Sequence, residues 1–249
     1  MASTARLRIA TYNVHKCRGL DGRIRPQRIA RVVQELDADI IALQEVLRAK
    51  GPGAGADQLQ AIAEHLPGYE FAFGENRLHE GAAYGNAVLS RLPIEASRNY
   101  DLTRRGCERR GCLRADVRFT KSAAKSAGLL HIFNVHLGTA FMERRHQARV
   151  LNADILRTRL RGHRVVLGDF NEWTRGLATR LLSSHLQSID VRRFQRRSRT
   201  YPGILPVLHL DHFYYDDGLH LEHFRVYRTR AALMASDHLP MIAEFIVAE

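Results

Sequence analysis

Val165-Val166-Leu167-Gly168-Asp169-Phe170-Asn171 runs three apolar residues into a glycine and then sets two polar side chains two positions apart. In an extended chain residues i and i+2 point the same way, so the spacing predicts Asp169 and Asn171 projecting together from the end of a buried strand. A carboxylate that takes a proton or orients a water, beside an amide that donates to a developing oxyanion, suits attack of water on a phosphorus centre. Alone, the same pair also makes an ordinary turn. Its weight comes from four other polar clusters that end apolar runs elsewhere in the chain.

Upstream of that stretch, residues 129–135 read as a strand that delivers His136. A helical stretch from 141 to about 161 follows, with Ala148, Leu151 and Ile155 on its inner face. Near the N-terminus, residues 7–13 form a strand ending at Asn13. Pro26 then opens an amphipathic helix whose Ile29, Val32, Val33 and Leu36 recur at i, i+3, i+4 and i+7. Residues 39–43 form a buried strand that delivers Gln44 and Glu45. A second helix carries Leu59, Ile62, Ala63 and Leu66 and stops at Pro67-Gly68. Further strands are expected at 69–73, at 81–90 with Tyr84 and Asn86 on one face, and at 113–119. Downstream, 208–215 is a strand around Asp211, 221–226 a shorter one, and Ser236-Asp237-His238 precedes a last strand at 241–247. This order reads as α/β. Neither a repeat nor a linker interrupts it, so residues 1–249 are expected to form a single domain.

The net charge is +12, and 34 of the 38 basic residues are arginine. Such an excess fits an anionic partner, whether nucleic acid, phospholipid head group or another phosphate ester, and equally serves as a solubilising surface. Residues 192–199 hold five arginines, among them Arg196 and Arg197, which either face substrate or form a plain surface loop. Three cysteines, an odd and low number, give no disulfide framework and no zinc-ligand spacing. No run of apolar residues is long enough for a transmembrane helix, and no apolar leader precedes the first strand. A cytoplasmic protein is expected.

Five clusters therefore gather at strand ends: Asn13; Glu45; His136; Asp169 with Asn171; and Asp211 with Asp237-His238. Glu45, Asp169 and Asp237 suit a hard divalent cation such as Mg²⁺, which takes oxygen ligands and keeps several waters. Two histidines can exchange protons near neutral pH, and Asp211 can fix the tautomer of one of them. Asp211 in an apolar strand is otherwise hard to explain, because an unpaired buried carboxylate is costly.

Thr11-Tyr12-Asn13, Leu43-Gln44-Glu45-Val46, Gly85-Asn86-Ala87-Val88-Leu89-Ser90-Arg91, Asn134-Val135-His136-Leu137, Gly168-Asp169-Phe170-Asn171, Leu210-Asp211-His212 and Ser236-Asp237-His238 resemble, in order, the motifs of the endonuclease/exonuclease/phosphatase superfamily. The resemblance spans residues 7–247. It implies a DNase I-like, four-layer α/β/β/α sandwich of two packed mixed sheets and metal-dependent cleavage of a phosphoester. It also implies that Glu45 is the main ligand of Mg²⁺ (Mn²⁺ being the alternative), with Asn13 and Asp237 assisting. Asp169 would align or deprotonate the attacking water, and Asn171 would hold the phosphate. His238, paired with Asp211, would act as general acid/base or transition-state stabiliser, and His136 would contact the phosphate or assist the leaving group. Glu108-Arg109-Arg110-Gly111-Cys112-Leu113 resembles a family Glu-Pro-Arg-Gly-x-Leu segment, with Arg109 in place of proline, and puts Arg110 near substrate. Asn86, Arg196 and Arg197 complete the expected substrate contacts.

The histidine in Asn134-Val135-His136 departs from the abasic-site endonucleases, and membrane-docking apolar loops are not evident in the sequence. Asn13-Val14-His15-Lys16 and Thr200-Tyr201-Pro202 are similar to segments of small bacterial members. The expected activity is that of a phosphodiesterase or nuclease on a polyanion. The alternatives are a phosphomonoesterase or phospholipid head-group phosphodiesterase of the same fold, and, in another class, a noncatalytic binding module.

Overall fold

The computed structural model describes residues 5–51, 57–120, 127–157, 160–174, 176–189 and 199–247. Strand β1 (Arg6–Asn13) leads through a tight turn into helix α1 (Pro26–Leu36), which returns the chain to β2 (Ile40–Arg48), parallel to β1. Helix α2 (Gln58–Ala63) precedes the hairpin of β3 (Glu70–His79) and β4 (Ala82–Ser90). β5 (Ile94–Asp101), β6 (Gly111–Thr120) and β7 (Ala127–His136) then form an antiparallel run. Helix α3 (Phe141–Val150) connects β7 to β8 (His163–Asp169), again a parallel pair. Helix α4 (Leu177–Leu182), the two-residue β9 (Gln187–Ser188), β10 (Asp211–Tyr215), β11 (Leu219–Val226), α5 (Arg230–Ala235) and β12 (Met241–Val247) complete the described chain.

The strands form two six-stranded sheets, in the orders β11-β12-β1-β2-β4-β3 and β5-β6-β7-β8-β10-β9. Each is mixed, with one central parallel pair joined by a helix-containing crossover. Side-chain alternation packs them. Leu130 and Ile132 of β7, with Val165 and Leu167 of β8, join the core shared with the first sheet, beneath which α1 and α2 also pack. Phe133, Val135 and Val166 point the other way, onto Ala148 and Leu151 of the α3 segment and Ala178 and Leu182 of α4. The expected α/β sandwich of two mixed sheets is the fold.

A polar brace crosses the largely apolar interface between the sheets. The fully buried Asn134 of β7 donates from Nδ2 to the carbonyls of Leu43 and Ala87, both at 2.8 Å, and accepts from Gln44 Nε2 at 2.8 Å. Asn134→Ala would remove a side-chain donor from two buried carbonyls, each worth about 1–3 kcal/mol, and one partner from Gln44 Nε2, which keeps Thr11 Oγ1 at 3.0 Å. Destabilisation of at least ~3 kcal/mol is expected from the urea midpoint, and a change under ~1 kcal/mol would show the brace to be dispensable.

Two sequence expectations change here. The long helix over 141–161 is shorter. α3 ends at Val150 and passes into one wider turn, closed by Leu156 N donating to Leu151 O at 3.0 Å. Asn86, expected at substrate, is corrected: it is fully buried between the sheets, its Nδ2 donating to the carbonyls of Gly111 and Asn134 at 3.2 Å. An inward-facing position on a central strand gives its amide backbone oxygens to satisfy rather than a path to solvent.

Candidate active site

β1, β2, β7 and β8 all finish at one end of the sandwich, which brings Asn13, Glu45, His136 and Asp169 together. The register pairs His136 with Asp169 across β7 and β8, and Asp211 with Asp169 across β10 and β8. Gly168 is what lets β8 do this. Its φ is +135°, and a Cβ there would lie 2.0 Å from the carbonyl oxygen of Val135, so only glycine permits the close approach. β2 carries an irregularity between Leu43 and Val46, with Glu45 at φ +60°. Such a bulge re-aims a side chain, here toward Asn13 and His136.

Asp169 is the hub. Its Oδ2 accepts from Asn13 Nδ2 at 2.9 Å and lies 3.7 Å from His238 Nε2 and 3.8 Å from His136 Nε2. Its Oδ1 accepts the Asn171 backbone N–H at 2.8 Å. Asn171 does not continue the strand as the i, i+2 reading expects. It turns to φ +48°, and its Nδ2 donates to the Leu137 carbonyl at 2.9 Å. Burial, reinforced by Asp211, raises the Asp169 pKa against the opposing pull of His238. His238 is held by its other nitrogen, Nδ1, 3.1 Å from Asp211 Oδ2. Burial disfavours its charge, but Asp211, with Asp169 and Asp237, outweighs that and lifts its pKa to about 10. The pair predicts a direct result. By imidazole NMR, His238 should stay protonated well past neutrality in the wild type. In Asp211→Asn the pKa should fall below that of free histidine, because burial is then unopposed by its main partner. An unchanged titration would separate the two residues.

His136 behaves oppositely. Burial and the adjacent Arg110 guanidinium, whose NH1 is 3.3 Å from Nδ1, hold its pKa well below the ordinary histidine value despite Glu45. Arg110 is itself buried and anchored to Glu108 at 3.1 Å. The site thus holds one neutral and one charged imidazole, both within 3.8 Å of Asp169 Oδ2.

Glu45 accepts from Asn13 Nδ2 at 3.2 Å and Lys16 Nζ at 3.2 Å and lies 3.9 Å from His136. Burial pushes its pKa up, but the Lys16 charge and the Asn13 and Lys16 hydrogen bonds, with His136 whenever it carries a proton, outweigh that and lower it to about 2. An ionised, little-exposed carboxylate of this kind fits a hard divalent cation, with water and substrate oxygens filling the remaining positions. Two expected ligands fit less directly. Asn13 Oδ1 accepts the His15 backbone N–H at 3.0 Å, so the side chain turns its amide nitrogen, not its oxygen, to the acids. Asp237 pairs with His15 Nδ1 at 3.4 Å rather than turning to Glu45.

Sequence reasoning passed over Lys16, His15 and Tyr201 as site residues. His15, Lys16 and Cys17 all have left-handed φ values of 46–56°, a strained turn of the sort that clusters at functional sites. The turn is closed by Cys17 N to Val14 O at 2.8 Å and Arg18 N to His15 O at 2.9 Å. The Tyr201 ring lies 4.9 Å from the His238 ring. The available signal was local, in that each follows or precedes a strand-end polar cluster. Arg196 and Arg197 lie outside the described residues.

An α/β sandwich whose central strands converge on an Asp–His pair and an ionised glutamate defines a DNase I-like protein. The chain belongs to the endonuclease/exonuclease/phosphatase family: the model described as Endonuclease/Exonuclease/phosphatase family matches residues 10–238. The uncharacterized protein YbhP of Escherichia coli (strain K12) is 31% identical over 223 residues, 83% of this chain and 83% of that protein. The structure of an endonuclease/exonuclease/phosphatase from Beutenbergia cavernae is similar with a TM-score of 0.75 and 23% identity, over 98% of this chain and 72% of that one. The mannosyl-6-phosphatase of Bacteroides thetaiotaomicron gives 0.73 and 20% over 96% and 99% of the two chains. D. rerio TDP2 complexed with a single-strand DNA product gives 0.73 and 18% over 97% and 99%. At these identities the structural likenesses define the fold. Members of the family are phosphoester hydrolases and in general depend on a divalent metal.

Proposed function

We propose that this chain, acting as one domain over residues 1–249, is a divalent-metal-dependent phosphodiesterase, with Mg²⁺ as its ion and Mn²⁺ as the substitute. The observation that carries the reading is the convergence on Asp169 Oδ2 of Asn13, His136 and His238 within 2.9–3.8 Å. Asp169 has a raised pKa, which suits a general base for water near neutral pH. The Asn171 backbone N–H and the Asn13 amide orient its two oxygens. His238, charged and fixed by Asp211, faces the charge that develops on the phosphoryl oxygens or gives a proton to the leaving oxygen. Neutral His136 and the Arg110 guanidinium flank the same space, and Arg110 adds a planar donor suited to phosphate oxygens. A cation held by Glu45 would supply Lewis-acid polarisation of the phosphoryl group. The net charge of +12 supports a polyanionic substrate or surface.

Hydrolysis of bis(p-nitrophenyl) phosphate and p-nitrophenyl phosphate, compared with Mg²⁺, Mn²⁺ or EDTA, tests the reading. Metal-dependent turnover that favours the diester is expected. Preference for the monoester would replace the phosphodiesterase with a phosphatase, and metal-independent turnover would remove the cation from the mechanism.

A further inference from the structure

All ten large apolar side chains that stand exposed among the described residues lie at the end of the sandwich that holds the site. Two are on the turn after β1, one near the end of β3, and two open α3 where it leaves β7. Trp173 follows β8, Ile204, Leu205 and Val207 precede β10, and Met234 lies on α5. The registers place each of these segments at the finishing end of β1, β2, β7 or β8. Connections at the opposite end contribute none among the described residues. Single exposed apolar residues are ordinary, but their collection on one face is not. The sequence scatters them over six segments, which is why no apolar loop stood out.

The same face is basic. Arg18, Arg23 and Arg25 are exposed on the turn after β1. A groove of about 460 Å³ between α1 and α5 is lined by Arg28 and Arg31, paired with Asp21 and Glu35, and by Arg230, Ala231 and Met234. Arg228 reaches the Ile204 carbonyl at 3.3 Å and ties this basic region to the apolar loop. Arg145 lies over the Phe141 ring at 5.5 Å, while Arg144, over the Trp173 ring at 5.7 Å, is buried and donates to the Gly138 and Thr139 carbonyls and so only supports Trp173.

We propose that this face docks on an anionic lipid surface, so that the catalytic site works on a phosphodiester presented at a membrane. The composition decides between polyanions. Nucleic-acid grooves pair basic residues with aromatic rings on which bases stack. Here only Phe141 and Trp173 of the ten are aromatic. The rest are aliphatic or methionine, which enter the headgroup–acyl boundary while flanking arginines meet anionic head groups. Leu205 and Ile204, 69% and 62% exposed, are the two most exposed of the ten. The proposal rests on the phosphodiesterase reading for what the docked protein does, not for whether it docks.

Co-sedimentation of the full chain with phosphatidylglycerol-containing vesicles, against pure phosphatidylcholine vesicles, tests it. The wild type is expected to bind the anionic vesicles at least ~10-fold more tightly, and Ile204→Asp/Leu205→Asp to lose at least ~10-fold of that binding. Hydrolysis of soluble bis(p-nitrophenyl) phosphate by the variant should stay within about twofold, since neither side chain touches the site. A separate Ile24→Asp variant should weaken vesicle binding from the other side of the face, guarding against a misfolded loop. Equal vesicle binding by wild type and variants would overturn the proposal. So would variants that lose single-stranded DNA binding while the wild type ignores vesicles, and so would a wild-type dimer that the variants dissociate. Vesicle binding without any diester hydrolysis would leave the docking face standing and overturn the catalytic reading; hydrolysis without vesicle binding would do the reverse.

Discussion

Glu45→Ala is expected to reduce metal-dependent diester hydrolysis by at least ~10³-fold and to bring the rate to that of the wild type in EDTA. The size follows from the chemistry. A Lewis-acid cation contributes several kcal/mol to the transition state, and about 4 kcal/mol corresponds to 10³ in rate. Glu45 is the carboxylate held at a pKa of about 2 among Lys16, His136 and Asn13, so it offers full negative charge throughout the working range. Without it, Lys16 and Asn13 remain and offer no anionic ligand. The variant should stay folded, because the sheets are held by the apolar cores and the Asn134 brace rather than by this side chain. A melting shift within ~4 °C, equivalent to about 1 kcal/mol in a chain of this size, is the control. Binding of Mn²⁺ followed by electron paramagnetic resonance gives a readout independent of turnover and should weaken in parallel. Wild-type turnover in the purified variant would remove Glu45 from the metal.

His238→Ala should lower kcat by ~10²–10⁴-fold, the range of a positioned proton donor or charge stabiliser, with much less change in KM. Two effects must be separated. The alanine removes the charged imidazole that faces Asp169 at 3.7 Å, and it also strands Asp211, which is buried. A buried carboxylate without its partner destabilises a fold strongly, by about 3–5 kcal/mol. His238→Ala/Asp211→Asn relieves that penalty without restoring the imidazole. If the double variant recovers stability while kcat stays low, His238 acts on the reaction. If kcat recovers with stability, the pair is structural and another residue must meet the developing charge.

Much of the architecture is legible in local pattern. The i, i+3, i+4, i+7 apolar positions of 29–36 became α1, and the apolar run at 241–247 became β12 with its bounds unchanged. β5 left no such signal. Its side chains are almost all exposed on a sheet edge, so neither face imposes apolar alternation. α5 is a single short element capped by Thr229, whose side chain accepts from Ala232 N, and fewer than two turns of helix have too few positions to show a period.

By itself, the sequence determined the α/β class and the identities of the polar residues at the strand ends. Those follow from chain-local rules: a period of two and a period of 3.6. The tertiary structure alone decided how these residues are used. It turned Asn13's amide rather than its oxygen to the acids, withdrew Asn86 into the space between the sheets, and paired Asp237 with His15. It made one imidazole neutral and the other charged, by placing Arg110 against His136 and Asp211 against His238. It also gathered scattered apolar residues onto one basic face. Each of these depends on which neighbours surround a group in three dimensions, because desolvation and Coulomb interactions act through space over a few ångströms and sequence separation does not report that distance.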